Sequence, residues 1–428
     1  MLDIKRIRDN PDEIRAALAR RNQPATHLDR ILGLDRERRE SITRAGELQS
    51  RRNSLSKEIG ALRKQGADAA ELQAGVRAMG DEIAALNARA AEAEAELQDT
   101  LLNLPNIPCA TIPDGHDASC NRVARHWGDA PEFSFAPLSH LQLNETLRLL
   151  DLPRGAKITG SGFPVFVGQG ARLQRALVQF MLHLHTTRHG YTELATPYVV
   201  NSDTMRGTGQ LPKLADDMYH AGVDDFWLIP TAEVPVTNFF RDEIITQPLP
   251  ICLTSHTPCF RREAGSAGKD TRGILRVHQF DKVELVKFVQ PETSYDELEK
   301  LLANAEAVLQ ALGLHYRVLE LCAGDLSFAA AKCYDIELWA PGHNGWLEVS
   351  SCSNFEDFQA RRANIKYRGP DGKPRLVHTL NGSGVALPRL IIAILEQFQQ
   401  ADGTVRLPEA LRPWLNGMDT LAPQALPF

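Results

Sequence analysis

The sequence predicts an α+β fold: a domain on a mainly antiparallel β-sheet, preceded by an antiparallel helical hairpin. Three observations carry this. Between Asp29 and Leu104 there is no proline, and apolar residues recur at alternating spacings of three and four. Beyond the prolines at 105, 108 and 113, strand-like segments outnumber the possible βαβ crossovers. Neither GxGxxG after a strand nor GxxxxGK(S/T) occurs, so any nucleotide site is of another kind.

The chain has 428 residues, 43% hydrophobic and 24% charged, the composition of a soluble globular protein with material for two or three domains. The formal charge of −6 excludes bulk attraction to polyanions, so any nucleic-acid contact must come from a local basic surface. The amino terminus, MLDIKRIRDN, lacks a signal-peptide core, and the longest aliphatic run, Leu390 to Leu395, is too short to cross a bilayer. A cytoplasmic protein without membrane association is expected. Seven scattered cysteines with no CxxC pair argue against a disulfide framework and a structural zinc site, and read as reduced, mainly buried thiols.

The helical segment divides near Gly66. Leu48, Leu55, Ile59 and Leu62 mark one apolar seam, and Leu72, Val76, Met79, Ile83, Leu86, Ala90, Ala93 and Leu97 mark the other. Pro105 and Pro108 end the second helix. Residues 35 to 64 carry nine Lys/Arg against five acids, whereas residues 65 to 104 carry two against eight. Such asymmetry serves interhelical pairing or, on the basic helix, a polyanion-binding face. Residues 1–104 are taken as this arm and 105–428 as the second domain.

In the second domain, strands are expected at Pro164–Val167, Cys259–Glu263, Gln279–Phe288, Asp335–Leu338 and Gly345–Ser350, and helices at Ala171–His189 and Ser294–Leu312. The densest constellation is TPCFRREAGSAGKDTRGILRVHQFDKVELVKF, residues 257 to 288. It reads as a β-hairpin with a basic, glycine-rich tip containing Lys269, Arg272 and Arg276. Strand alternation would put Arg261 and Glu263 on one face, where a guanidinium suits phosphate or carboxylate oxygens. An isolated FRRE is more often a solvated ion pair. Residues 376 to 414 read as a strand, a Gly-Ser-Gly turn, and an amphipathic helix with Pro388 in its first turn and Arg389 beside it.

Together these segments resemble motifs 2 (257–288) and 3 (376–399) of the class II aminoacyl-tRNA synthetases, and RHGYTELATPYV (188–199) resembles motif 1. GTGQLPK (207–213), PTAEVPVTNFF (230–240), HQFDKVE (278–284), YDIELWAP (334–341) and EVSSCSNFEDFQARR (348–362) narrow the resemblance to the seryl-tRNA synthetases of bacterial type, across nearly the whole chain.

By motif position, the resemblance implies that Arg261 bridges the α-phosphate of ATP and the amino acid's carboxylate, while Glu263 contacts the adenine amine and Phe280 stacks on the adenine. Arg389 would hold the γ-phosphate with Arg276 assisting, and Arg262, Val277, Val349 and Ser350 would complete the ATP site. Glu348 and Ser351 would ligate Mg²⁺, whose preference is for hard oxygens. Thr231, Ala232 and Glu233, with Glu284, Asn381 and Ser383, would surround serine; Arg261 would reach its carboxylate. Read alone, a residue such as Phe280 is more often core than a stacking platform, and one such as Glu348 more often a surface acid. His278 and His378 are taken as structural, since no second ligand stands at metal spacing. Arg262 departs from the smaller polar residue frequent in the family, and residues 139 to 150 carry no motif.

The implied activity is a serine–tRNA ligase: serine's carboxylate attacks the α-phosphorus of ATP, and a 3′-terminal ribose hydroxyl of tRNA(Ser) then attacks the adenylate. The resemblance admits tRNA(Sec) as a second tRNA substrate and implies a homodimer, with the arm of one subunit serving tRNA charged by the other. Arg261 and Arg389 would be the catalytic groups, acting by positioning and charge neutralisation. Competing readings are a synthetase for threonine or proline, a retired core that only binds RNA, and a ligase that loads a carrier protein. The TAE and NGS segments oppose the first, the retained Arg261, Glu263, Glu348 and Arg389 the second, and the long arm the third.

Overall fold

A computed structural model describes residues 1–264 and 272–427, in two compact units, Leu2–Pro105 and Asn106–Phe428 together with Met1. Lys269 lies outside the described residues.

The first unit is helical. Two short helices, α1 (Ile4–Asp9) and α2 (Pro11–Arg20), precede the long antiparallel pair α3 (Thr26–Lys64) and α4 (Ala70–Leu102). The sequence reading did not separate α1 and α2 from the rest; Asp3, whose carboxylate caps Lys5 N–H, and Pro11 at the start of α2 are their local signals. Gly66, at φ +71°, makes the turn between the long helices. Chain bending begins three residues before Pro105, because α4 ends at Leu102.

Burial along the seam is graded. Ile83, Ala90, Ala93, Leu97 and Leu101 of α4 are buried, whereas Leu72, Val76, Met79 and Leu86 are only half-buried. The charge asymmetry divides the same way. Arg30 meets Glu96 through two contacts, Arg38 meets Glu94, Glu37 receives Arg89, and Arg44 lies 3.6 Å from Glu82. Nearer the tip, Arg51, Arg52, Lys57 and Lys64 make no ion pair among the described residues. Interhelical pairing therefore accounts for the charge near the base of the hairpin and leaves a basic stretch on α3 toward its turn.

The second unit is built on an eight-stranded sheet: β1 (Arg122–Trp127), β2 (Thr192–Glu193), β3 (Ile251–Phe260), β4 (Gln279–Val289), β5 (Tyr316–Glu320), β6 (Lys332–Ala340), β7 (Gly345–Asn354) and β8 (His378–Ala386). Their spatial order is β1-β5-β6-β7-β8-β4-β3-β2, and only the β2 to β3 edge is parallel. Helices α5 (Gln169–Arg188), α6 (Ser294–Ala311) and α7 (Leu387–Gln397) share the main hydrophobic core with it. Residues 139 to 150, mute in motif terms, hold a helix at His140–Leu147 whose capping box joins Ser139 to Gln142, a pattern visible in the sequence.

Three local expectations are corrected. The strand expected over Cys259–Glu263 ends at Phe260, and Glu263 sits in the left-handed region at φ +51°, so alternation along a strand is not what relates Arg261 to Glu263. Gly382-Ser383-Gly384 is not a turn but the middle of β8. Its glycines serve close approach: a Cβ on Gly382 would lie 2.3 Å from Leu301 Cδ2 of α6, and one on Gly384 2.8 Å from His185 Nε2 of α5. Nor is α7 amphipathic in its surroundings, because every residue except Arg389 is buried.

Since Leu301 and Cys352 occupy the space beside Gly382, Gly382→Ala is expected to destabilise the protein by about 1–3 kcal/mol through overpacking. Urea unfolding of the two proteins, followed by tryptophan fluorescence, measures the difference.

Candidate active site

The open face of the sheet bounds a cavity of about 580 Å³. Strand alternation explains most of its polar lining. Phe280 and Lys282 of β4 and Asn381 and Ser383 of β8 point into it, while Gly382 and Gly384 face the helices. On β7, Glu348 and Ser351 are three positions apart and should face opposite ways. A bulge at Val349 resolves this: Ile336 pairs with Ser350 but Glu337 with Glu348, so one extra residue brings Glu348 and Ser351 onto the cavity face.

Of the residues expected from sequence, Thr231, Glu233, Arg261, Glu263, Arg276, Val277, Phe280, Glu348, Val349, Ser351, Asn381, Ser383 and Arg389 line this one cavity. Four do not. Ala232 is buried in a neighbouring apolar cluster with Val236 and Phe288. Ser350 lies on the opposite face of β7 and donates to the Ser383 carbonyl at 2.6 Å. Arg262 is exposed and donates to the Asp216 carbonyl at 3.0 Å. Glu284 is fully buried beneath the cavity floor.

Three guanidinium groups converge at one end. Arg261 lies 5.2 Å from the Phe280 ring centre and donates weakly to the Pro230 carbonyl. Arg276 pairs with Glu263 at 2.9 Å, which the left-handed turn at Glu263 makes possible. Arg389 donates to the carbonyls of Leu275 and Glu348 and lies 3.7 Å from the Glu348 carboxylate. Burial lowers the Arg389 pKa, Glu348 opposes this, and Arg276 and Arg261 add to it; an arginine so placed still carries its charge.

Beside Glu348 stands Asp335 of β6, paired in register with Ser351. Burial, and then the Glu348 carboxylate, push Asp335 well above the ordinary carboxylate range. Two carboxylates and a hydroxyl crowded together form a hard-oxygen set with an excess of negative charge, which fits a divalent cation that also takes oxygens from a phosphate. No cluster of three or more His, Cys, Asp or Glu at metal-binding geometry occurs among the described residues.

The other end is a polar network. The Thr231 hydroxyl donates to Glu284 Oε2 at 3.2 Å and accepts from Lys282 Nζ at 2.8 Å and from the Glu233 N–H at 3.2 Å. Its hydrogen-bonding capacity is therefore used, and it positions neighbours rather than offering a free group. Lys282 also pairs with Glu284, whose second oxygen accepts from Asn381 Nδ2 at 3.2 Å. Asn381 lines the cavity, and its Oδ1 is buried without a hydrogen-bond partner among the described residues. Glu233 accepts from Gln359 Nε2 at 2.6 Å, and burial, then the nearby Glu284, raise its pKa to about 7.

Sequence reasoning missed Lys282, Asp335 and Gln359. Lys282 was detectable, since it falls between Phe280 and Glu284 in the period-two row of β4. Gln359 lies on a separate short helix, Phe358–Ala363, and meets Glu233 only through the fold.

Residues 1–108 match the family model of the seryl-tRNA synthetase N-terminal domain, and residues 218–398 that of the tRNA synthetase class II core domain (G, H, P, S and T). The serine–tRNA ligase of Pelotomaculum thermopropionicum is 52% identical over 98% of this chain and 100% of its own. That of Thiobacillus denitrificans is 52% identical over 99% and 100%. Among solved structures, the seryl-tRNA synthetase of Pyrococcus horikoshii complexed with ATP superposes with a TM-score of 0.95 at 38% identity, covering 99% of this chain and 100% of that one. The cytoplasmic serine–tRNA ligase of Naegleria fowleri with AMP gives 0.90 at 28% identity, covering 99% of each.

Removing the Lys282 ammonium strands the buried Glu284 charge, so Lys282→Met is expected to cost about 3–5 kcal/mol of stability. The double variant Lys282→Met/Glu284→Gln should recover much of that loss, as read from denaturant midpoints of all three proteins.

Proposed function

We propose that this chain, which belongs to the seryl-tRNA synthetase family, activates L-serine with ATP and transfers it to tRNA(Ser). The observation that carries this reading is the convergence of Arg261, Arg276 and Arg389 with Glu348 around one cavity, whose other end is a small polar pocket.

In the first step the serine carboxylate attacks the α-phosphorus in line, forming seryl-adenylate and releasing pyrophosphate. The guanidinium of Arg261 holds the α-phosphate and the carboxylate against each other and neutralises the charge that develops between them. Phe280, already under Arg261, offers an apolar face to the adenine. Adenine and phosphate would displace the Glu263–Arg276 contact, leaving Glu263 to accept from the adenine amine and Arg276 to join Arg389 on the outer phosphates. Glu348 and Ser351 would hold Mg²⁺, which supplies further neutralisation of phosphate charge.

Serine's ammonium and hydroxyl would find Glu233 and the Asn381 side chain, with Ser383 beside them. Glu284, Lys282 and Thr231 fix this arrangement from beneath. Alanine would leave a buried polar group unpaired, a larger penalty than a missing methylene. Both nucleophiles belong to substrates, and in the second step a 3′-terminal ribose hydroxyl of the tRNA attacks the adenylate's carbonyl.

The unpaired basic residues Arg51, Arg52, Lys57 and Lys64 suit phosphates of a double-stranded RNA arm, read by shape and backbone. The domain division at 104, a homodimer, a cytoplasmic setting and use of tRNA(Sec) belong to the same reading. The half-exposed Tyr198 and Val199, in the segment resembling motif 1, support a second copy of the chain as partner. No described helix is long and apolar enough to cross a membrane.

Pyrophosphate exchange with each of the twenty amino acids tests the substrate, and serine alone should support it. Arg261→Ala should lower serine-dependent exchange on the order of 10²-fold or more; near-normal exchange would remove its assigned role. Arg51→Glu combined with Arg52→Glu should leave exchange intact and depress tRNA charging, with tRNA affinity falling less steeply as salt is raised, because fewer phosphate contacts remain to be screened. Equal loss of both activities would take the basic stretch out of tRNA binding.

A further inference from the structure

Two cysteines far apart in sequence share one small space outside the cavity. The point that a Cβ on Gly115 would occupy lies 2.2 Å from Cys120 Cβ, 3.0 Å from Cys322 Cβ and 2.8 Å from Cys322 Sγ. The two Cβ atoms can be no farther apart than the first two distances taken together, which reaches the neighbourhood of the roughly 3.5–4.5 Å that a disulfide requires. Only a glycine at 115 leaves them this room.

The backbone around the pair is already held. Ala323 and Gly324 N–H groups donate to the carbonyls of Pro113 and Gly115, the Cys322 N–H donates to Asn121 Oδ1, and the Cys322 thiol donates to the Asp117 carbonyl at 3.3 Å. Asn121 Nδ2 reaches Asp325 at 2.8 Å. Both thiols are free; Cys120 is exposed and Cys322 is buried. Hydrogen bonds from the His116 backbone, then the Ser119 hydroxyl and Asp117 backbone, favour the Cys120 thiolate and lower its pKa.

We propose that Cys120 and Cys322 are an oxidisable pair, which a peroxide converts to an intramolecular disulfide stapling residues 113–121 to the loop after β5. That loop carries Ser327, Phe328 and Ala329 onto the cavity wall, so the staple secures part of the active-site boundary. The Cys120 thiolate attacks one peroxide oxygen, breaking the O–O bond to give a sulfenic acid and hydroxide, which takes a proton to become water. Cys322, giving up its proton, attacks the Cys120 sulfur; an S–S bond forms, the S–O bond breaks, and the departing hydroxide takes that proton as a second water. Two thiols are oxidised by one peroxide, which is reduced to two waters.

The test treats the reduced full-length protein with hydrogen peroxide, blocks remaining thiols and maps peptides without reduction. A Cys120–Cys322 linked peptide and an intact mass lower by about 2 Da, both reversed by dithiothreitol, are expected. The melting temperature should rise by several degrees on oxidation, because the link closes a long loop. Cys120→Ser, at an exposed position, should abolish both changes, and Gly115→Ala, which places a methyl between the two residues, should slow linkage. Links among other cysteines, overoxidised Cys120 with Cys322 still free to be blocked, or the same thermal shift in Cys120→Ser would overturn the proposal.

Discussion

Like charges do not gather unless something else holds them, and Arg261, Arg276 and Arg389 are held around one cavity by rigid backbone. Arg389 projects from a helix whose other residues are all buried in the core, so its position is tied to the packing of the whole domain. Arg261 follows directly from the end of β3, and Arg276 is restrained by Glu263. Mutual repulsion, with burial adding to it at Arg389, makes the cavity an electrostatically demanding place. A polyphosphate relieves that demand. The same logic runs with opposite sign at Asp335 and Glu348, where two crowded carboxylates favour a cation.

Placement of these charges depends on departures from regular backbone. The extra residue at Val349 turns Glu348 to the face of Ser351, and the left-handed conformation of Glu263 sends its carboxylate back to Arg276. Glycines at 382 and 384 let α6 and α5 approach β8 while Asn381 and Ser383 face the ligand space. Each device costs local stability or tolerance to substitution, and a closely packed sheet and helix layer supplies the compensation.

In the arm, electrostatics serves two purposes along one helix. Near its base, the basic residues of α3 meet the acids of α4 and hold the antiparallel pair in register; toward the turn Arg51, Lys57 and Lys64 are exposed and make no ion pair among the described residues. Exposed pairs of this kind contribute little stability each. Orientation is their main contribution, since like charges would oppose any other register.

Much of the fold was legible locally. The proline-free seams specify two long helices, Gly66 their turn, and β-prone runs the strands of the sheet, because helix and strand periodicities are properties of adjacent residues. Within the site, Lys282 was readable from the alternation of β4. Three features were not: the bulge at Val349, the strand that passes through Gly-Ser-Gly, and the meeting of Gln359 with Glu233. A bulge is defined by the neighbouring strand, and glycines that admit a helix are indistinguishable in sequence from glycines that turn. The sequence by itself determined which chemical groups are present and on which kind of element each rides; only the tertiary structure decided which of them meet, because contacts between distant segments are set by packing and strand register, and neither is a property of any local stretch of chain.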